Sequence, residues 1–211
     1  MTTIAVFMDV SNLYHCLKHG RKAKLDYAAF LRYISDFGKV TVAYAYGASR
    51  DGNADTFKQM LQDAGYIVKY KKLKEMHNDR GITHKADCDV LIALDVCDVV
   101  NSRLANLIII GSADGDMAPV VEWAKDNGVK VIVCASNISY ELKEAGATCI
   151  EVPPSLYYGA TQDTAKRELC DSSSTVYHAG TGRSIDAPVP ATVEPLETAI
   201  QSANTGTTVS D

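Results

Sequence analysis

No apolar stretch in this chain approaches the roughly 18–20 residues that a bilayer-spanning helix needs, so no membrane partner is expected. The opening residues, Met1-Thr2-Thr3-Ile4, carry neither a basic n-region nor a cleavage site, so secretion is not expected either. The six cysteines (Cys16, Cys88, Cys97, Cys134, Cys149 and Cys170) include no Cys-x-x-Cys pair and no Cys/His ligand spacing. That pattern argues against zinc and against a disulfide framework, and suits a reducing compartment, by default the cytoplasm. No Gly-x-Gly-x-x-Gly follows the first strand candidate and no Gly-x-x-x-x-Gly-Lys-Ser/Thr occurs, so no nucleotide cofactor is expected. A Gly-x-Ser-x-Gly elbow is also absent, which leaves a hydrolase triad unsupported. Asp9-Val10-Ser11 lacks the second aspartate that haloacid-dehalogenase-like phosphatases require two residues after the first, and Leu13 replaces the last hydroxyl of an integrin-type Asp-x-Ser-x-Ser ion site.

What remains is an ordinary globular composition. The chain has 211 residues, 46% of them hydrophobic and 22% charged, enough for one domain with a real core. A homo-oligomer is compatible with it. The net charge of −5 argues at first against a nucleic-acid partner, but its distribution matters more. From Gly159 to Asp211 there are 3 Lys/Arg against 7 Asp/Glu, whereas residues 1–158 hold 18 against 19. If several of those aspartates bind metal, the remaining surface is effectively basic.

Residues 4–152 alternate between short β-branched runs and helical patterns. Strands are expected at Ile4–Met8, Lys39–Tyr46, Tyr66–Tyr70, Leu107–Ile110, Lys130–Cys134 and Thr148–Val152. Helices are expected after Ser11 or Asn12, after Asp26 with Gly38 as the stop, around Ala54–Ala64 before Gly65, over Asp89–Val100, over Met117–Asn127 before Gly128, and over Ser139–Ala145 before Gly146. The repeated helix–Gly–strand order predicts an α/β fold with a mostly parallel sheet and helices on both faces. Leu107-Ile108-Ile109-Ile110 is apolar throughout, as a central strand buried on both sides should be. After Pro153-Pro154 the chain turns to Ser, Thr, Ala, Gly and Pro, so residues 159–211 are expected to form a disordered tail, with Cys170–His178 a candidate interaction segment.

In an open parallel sheet, functional groups gather beyond the carboxyl ends of the strands where strand order reverses. The first strand delivers Asp9, followed by Val10-Ser11-Asn12, and the fourth delivers Gly111-Ser112-Ala113-Asp114-Gly115-Asp116. If the two strands are neighbours, three carboxylates meet at one edge, and their mutual repulsion calls for a cation. Oxygen ligands without His or Cys select Mg²⁺ or Mn²⁺ rather than zinc. Each piece has a blander explanation, since an Asp ending a strand is a common helix cap and Asp-Gly-Asp a common turn. Asp87 or Asp89 stands where a helix begins, where capping competes with metal binding. Asp95 interrupts an apolar helix and needs a partner there, either as an orienting group for ligands or for Lys85.

Three motifs in order now become recognisable: Phe7-Met8-Asp9-Val10-Ser11-Asn12-Leu13, then Lys-Ala-Asp-Cys-Asp-Val-Leu-Ile-Ala-Leu-Asp over 85–95, then Ile-Ile-Gly-Ser-Ala-Asp-Gly-Asp-Met-Ala-Pro-Val-Val over 109–121. Together they resemble the NYN domain, in particular the LabA-like branch of the PIN-like nuclease superfamily. The similarity covers roughly residues 3–153, and its most specific part is the Ser-x-Asp-x-Asp block followed by a helix. The resemblance implies a three-layer fold with sheet order near 3-2-1-4-5 in residues 1–158, which would set Asp9 beside Asp114. It also implies a metal-dependent ribonuclease using Asp9, Asp89, Asp114 and Asp116, with Asn12, Ser112, Lys85 and Asp95 in support. The chain departs from the family in Val10-Ser11, where Gly-Glu or Gly-Asp is frequent, in Met117, where Phe is usual, and in the spacing of Lys85 from Asp89, which leaves Asp87 a rival. None of these departures removes a core carboxylate.

Two basic stretches flank the expected site. Lys18-His19-Gly20-Arg21-Lys22-Ala23-Lys24 follows the first helix, and Lys69-Tyr70-Lys71-Lys72-Leu73-Lys74 leads into a loop with Arg80 that ends at Lys85. Arg21, Lys22, Lys71, Lys72 and Lys85 are the candidate phosphate contacts, and Tyr70 a candidate for stacking on an unpaired base. A solvated edge strand protected by lysines would look the same. The expected function is hydrolysis of RNA phosphodiester bonds. A non-catalytic RNA-binding regulator and a DNA flap-type nuclease are the alternatives, because a shared fold does not guarantee activity.

Overall fold

The structure, a computed structural model, describes residues 1–21, 23–49, 55–72, 74–78, 81–85 and 88–158, together with Thr198. The side chains of 19–21, 49, 74–78 and 81–85 are outside that description. The chain runs β1 (Thr3–Asp9), α1 (Val10–Arg21), β2 (Lys24–Leu25), α2 (Tyr27–Ser35), β3 (Lys39–Ser49), α3 (Asp55–Asp63), β4 (Ile67–Lys72), β5 (Lys74–Asn78), β6 (Gly81–Lys85) and α4 (Asp89–Asn101). It continues through β7 (Leu107–Gly111), a 3₁₀ turn (Gly115–Met117), α5 (Ala118–Asp126), β8 (Lys130–Cys134), α6 (Tyr140–Glu144), β9 (Thr148–Ile150), a second 3₁₀ turn (Pro154–Leu156) and β10 (Tyr157–Tyr158). The expectation of a disordered tail over 159–211 falls outside the described residues, Thr198 apart. Among the described residues no helix is long and apolar enough to cross a membrane.

The sheet orders its six strands β4-β3-β1-β7-β8-β9, every pair parallel. Counting only the six strands expected from sequence, that is 3-2-1-4-5 with the last strand added at the far edge. β1 sits at the centre because Ile4-Ala5-Val6-Phe7-Met8 is fully buried on both faces, and β7 beside it is buried along its whole length. On one face Ile4, Val6 and Met8 pack with Leu13, Leu17, Phe30, Ile34 and Leu61 from α1–α3. On the other, Ala5, Phe7 and Tyr46 pack with Ile92, Val96, Val121 and Leu142 from α4–α6. Each of the Val, Leu, Ile, Phe and Met side chains among them contributes on the order of 1.5–3 kcal/mol when fully buried.

The helix stops follow the glycines, with φ of +102° at Gly65, +78° at Gly128 and +69° at Gly146. Gly38 is different. It keeps negative φ, and what it provides is close approach, since a Cβ there would lie 2.8 Å from the Thr2 carbonyl oxygen. The stretch after β4, expected as a loop, instead contains an antiparallel hairpin of β5 and β6.

Candidate metal centre

β1 and β7 are hydrogen-bonded neighbours in the register Met8↔Gly111, so the segments leaving their carboxyl ends start side by side. Each segment is tied down by its own polar groups. The Asp9 carboxylate accepts from the Asn12 backbone N–H at 3.0 Å and so caps α1. The Asn12 side-chain oxygen in turn accepts from the Ala113 N–H at 2.9 Å, bolting the start of α1 to the loop after β7. In that loop the fully buried Ser112 hydroxyl accepts from the Asp114 N–H at 3.2 Å, and the Asp114 carboxylate accepts from the Asp116 N–H at 3.1 Å, capping the 3₁₀ turn. Asn12 and Ser112 thus shape the loop that carries the acids.

The third segment arrives from α4. Cys88 occupies the N-cap position without a side-chain cap bond, which leaves Asp89 as the first helical residue. Asp87 lies outside the described residues. One carboxylate oxygen each from Asp89, Asp114 and Asp116 falls within 4.8 Å of the others, with Asp89 and Asp114 half-buried and Asp116 exposed. That group does not include Asp9, which is 7% exposed and sits at the carboxyl end of β1 opposite Tyr46. Asp9 nonetheless leaves the strand next to the one that leads to Asp114. The Cys16 thiol, held 3.5 Å from the Asn12 side-chain oxygen, is pushed above its ordinary pKa by burial first and then by the charges of both Asp9 and Asp114. Cys16 therefore stays a neutral thiol near neutral pH rather than a thiolate ligand.

The donor set suits a hard cation. It is all carboxylate oxygen, and one ion bridging the three side chains would relieve the repulsion between them. The positive ends of α1, α4 and the 3₁₀ turn that leads into α5 begin at Val10, Asp89 and Gly115, so helix dipoles also favour negative charge here. Glu141 is a further carboxylate that sequence reasoning did not single out. A Cβ added at Gly115 would lie 2.9 Å from its Oε2, so this side chain leans on the acidic loop. Its one sequence signal is its place just past the end of β8, the next strand over.

Among the described residues Asp95 has two partners that were not expected, while the side chain of Lys85, the expected one, lies outside them. Asp95 accepts from the Tyr46 hydroxyl at 2.6 Å and from the Lys69 ammonium at 2.6 and 2.8 Å. Lys69 starts on the edge strand β4 and crosses the face of the Tyr44 ring, 4.8 Å from its centroid, to reach α4. Burial and then the Asp95 hydrogen bond push the Tyr46 hydroxyl far up, so it remains a proton donor. Lys69 is accordingly committed to the interior rather than to phosphate. Lys71 and Lys72 end β4 beside Ala48 and Ser49, with Lys72 exposed, and both already have interaction partners. Arg21 ends α1 and Lys85 ends β6, but their side chains, and Lys22 entirely, lie outside the described residues.

The model of the NYN domain family matches residues 3–153 of this chain. The Low amplitude and bright protein LabA of Synechococcus elongatus is 26% identical over 150 residues, covering 67% of this chain and 79% of that protein. A crystal structure of a protein of unknown function from Vibrio parahaemolyticus superposes with a TM-score of 0.65 at 24% identity, covering 74% of this chain and 96% of that one. This last likeness is one of fold.

Proposed function

The chain belongs to the NYN domain family, whose PIN-like superfamily consists typically of metal-dependent nucleases, and from that premise we propose that it is a ribonuclease dependent on Mg²⁺ or Mn²⁺. The observation that carries the reading is the convergence of Asp89, Asp114 and Asp116 from two separate segments onto one point at the carboxyl edge of the sheet. In this reading those three carboxylates hold the ion, and Asp9 adds a buried negative charge beside them. The ion, when bound, would supply activation of water and stabilisation of the charge that develops on phosphate and leaving oxygen. Asn12 and Ser112 keep the acidic loop in place, and the three helix N-termini favour the phosphate. Lys71, Lys72 and Lys85, with Arg21 and Lys22, are the proposed contacts to the rest of the RNA backbone. The domain is assigned residues 1–158, supported by the family match to residues 3–153. A reducing compartment, the cytoplasm, suits the free thiols of Cys16, Cys88, Cys97, Cys134 and Cys149.

The test is cleavage of end-labelled RNA with Mn²⁺, with EDTA, and by Asp114→Asn. Cleavage is expected with Mn²⁺ alone, reduced at least a hundredfold by the substitution, on the order of what removing one charged transition-state contact costs. Cleavage that survives both EDTA and Asp114→Asn refutes the assignment. Salt-dependent RNA binding without turnover would mark a non-catalytic member, and cleavage confined to DNA would mark a flap-type nuclease.

A further inference from the structure

Next to the acidic cluster the sheet edge has a second concavity of opposite character. A cavity of about 330 Å³ opens between α1, β2, the start of α2, α3 and the ends of β3 and β4. Its lining includes six aromatic rings, those of Tyr14, His15, Tyr27, Phe57, Tyr70 and Tyr158, and no carboxylate among the described residues. Cations sit over three of the rings, Lys18 at 5.3 Å from the Tyr14 centroid, Lys58 at 5.2 Å from Tyr70 and Lys24 at 6.0 Å from Tyr158. The volume lies at the lower end of the ~300–1,000 Å³ of small-ligand sites. Gly47 allows the Tyr70 ring to lie against β3, since a Cβ there would come 2.6 Å from its Cζ.

The cavity adjoins the acidic site through Asp9. Val10 and Ser11, the next two residues, are part of its wall. Asp9 itself ends β1, whose neighbour in the sheet, β7, leads to Asp114 and Asp116. Flat rings in a wall without a carboxylate among the described residues, rimmed by the ammonium groups of Lys18 and Lys24 and by Lys58, which is paired with the exposed Asp55 at 3.3 Å, match a flat heteroaromatic ring attached to a phosphate.

We infer that this cavity is a stacking subsite for one unpaired nucleobase of the strand whose phosphate reaches the acidic cluster. The inference rests on the nuclease reading for its choice of ligand, and it favours nucleic acid with single-stranded character, because a paired base must first be unpaired and unstacked to enter. Stacking reads the ring rather than the sugar, so single-stranded RNA and DNA use the subsite alike.

Tyr14 is 38% exposed and Tyr158 48% exposed, so either can be truncated without emptying the core. Binding of a fluorescent oligoribonucleotide to the full chain would be measured by anisotropy in EDTA, single-stranded and annealed to its complement. Tyr14→Ala is expected to weaken single-strand binding by about five- to a hundredfold, the range for one lost base–aromatic stack, and to leave the duplex within twofold. Tyr14→Trp, which keeps a stacking surface, should restore it. Single-strand affinities within twofold of wild type for both Tyr14→Ala and Tyr158→Ala overturn the subsite, as does equal loss on single strand and duplex. Metal-dependent cleavage is scored separately. Cleavage by a chain whose tyrosine variants bind normally removes the subsite and keeps the nuclease, and tyrosine-dependent binding without cleavage does the reverse.

Discussion

Lys69→Met removes the ammonium from Asp95 while keeping most of the apolar stem. Asp95 is 9% exposed and would be left with the Tyr46 hydroxyl as its remaining partner among the bonds described above. Breaking a fully buried pair by removing one partner costs about 3–5 kcal/mol. The Lys69 side chain is 36% exposed against 12% for Asp95, so water can reach the gap and the lower figure of about 2–3 kcal/mol applies. Roughly 0.5–1 kcal/mol of that belongs to the lost contact with the Tyr44 ring. Adding Asp95→Asn removes the stranded charge, so the double variant should recover most of the loss but not the ring contribution. Urea unfolding followed by far-UV circular dichroism measures both. With a slope near ~2 kcal/mol/M the midpoint should fall by about 1 M for Lys69→Met and return more than halfway in the double variant. A loss under ~0.5 kcal/mol, or simple additivity of the two changes, would refute the claim that this pair clamps α4 to the sheet. The clamp matters for the site because Asp89 lies on the same helix, about 9 Å along its axis from Asp95.

Asn12→Ala leaves the Ala113 N–H without its acceptor, and should cost about 1–2 kcal/mol in thermal unfolding while weakening Mn²⁺ binding several-fold. Unchanged Mn²⁺ affinity would separate that bond from the site. Gly47→Ala drives a methyl into the Tyr70 ring and is expected to lower single-strand affinity as Tyr14→Ala does, with a stable fold confirmed by circular dichroism. Normal affinity in the folded variant would contradict the placement of that ring. Burial raises the hydroxyls of Tyr27, Tyr46, Tyr66 and Tyr70 above the ordinary 10, Tyr70 to about 12. Groups held neutral by the fold contribute their full stability below pH ~10, where neither state ionises them. Above it the unfolded chain releases protons that the folded chain retains, so the urea midpoint should decline steadily from pH 10 towards 12, and a flat profile there would refute the burial.

Much of the fold was legible because the strongest signals coincide with the centre of the sheet. Runs such as Ile4–Met8 and Leu107–Ile110 leave no polar face, and a strand of that kind has to be covered on both sides. The hairpin of β5 and β6 was illegible for the opposite reason: Lys-Glu-Met-His-Asn carries no alternation of apolar and polar residues from which a strand can be read. At the site, strand-end logic reaches Asp9, Asp114 and Asp116, which leave β1 and β7, but it has no purchase on Asp89, which begins a helix. That residue came from the resemblance. The oxygens of Asp89, Asp114 and Asp116 lie together while Asp9 is not of that group, a distinction that no spacing encodes. The partner of Asp95 was hidden because Lys69 looks in sequence like one more edge-strand lysine. Only the folded sheet brings its long stem across Tyr44 to α4. The aromatic cavity draws its rings from segments as far apart as Tyr14 and Tyr158, and no local pattern announces it.

Anomalous diffraction from crystals of the full chain grown with Mn²⁺ tests the central claim most directly. The account predicts a manganese peak bonded to carboxylate oxygens of Asp89, Asp114 and Asp116 at about 2.1 Å, lost in Asp114→Asn. Saturating Mn²⁺ that leaves those three carboxylates without a peak would contradict it.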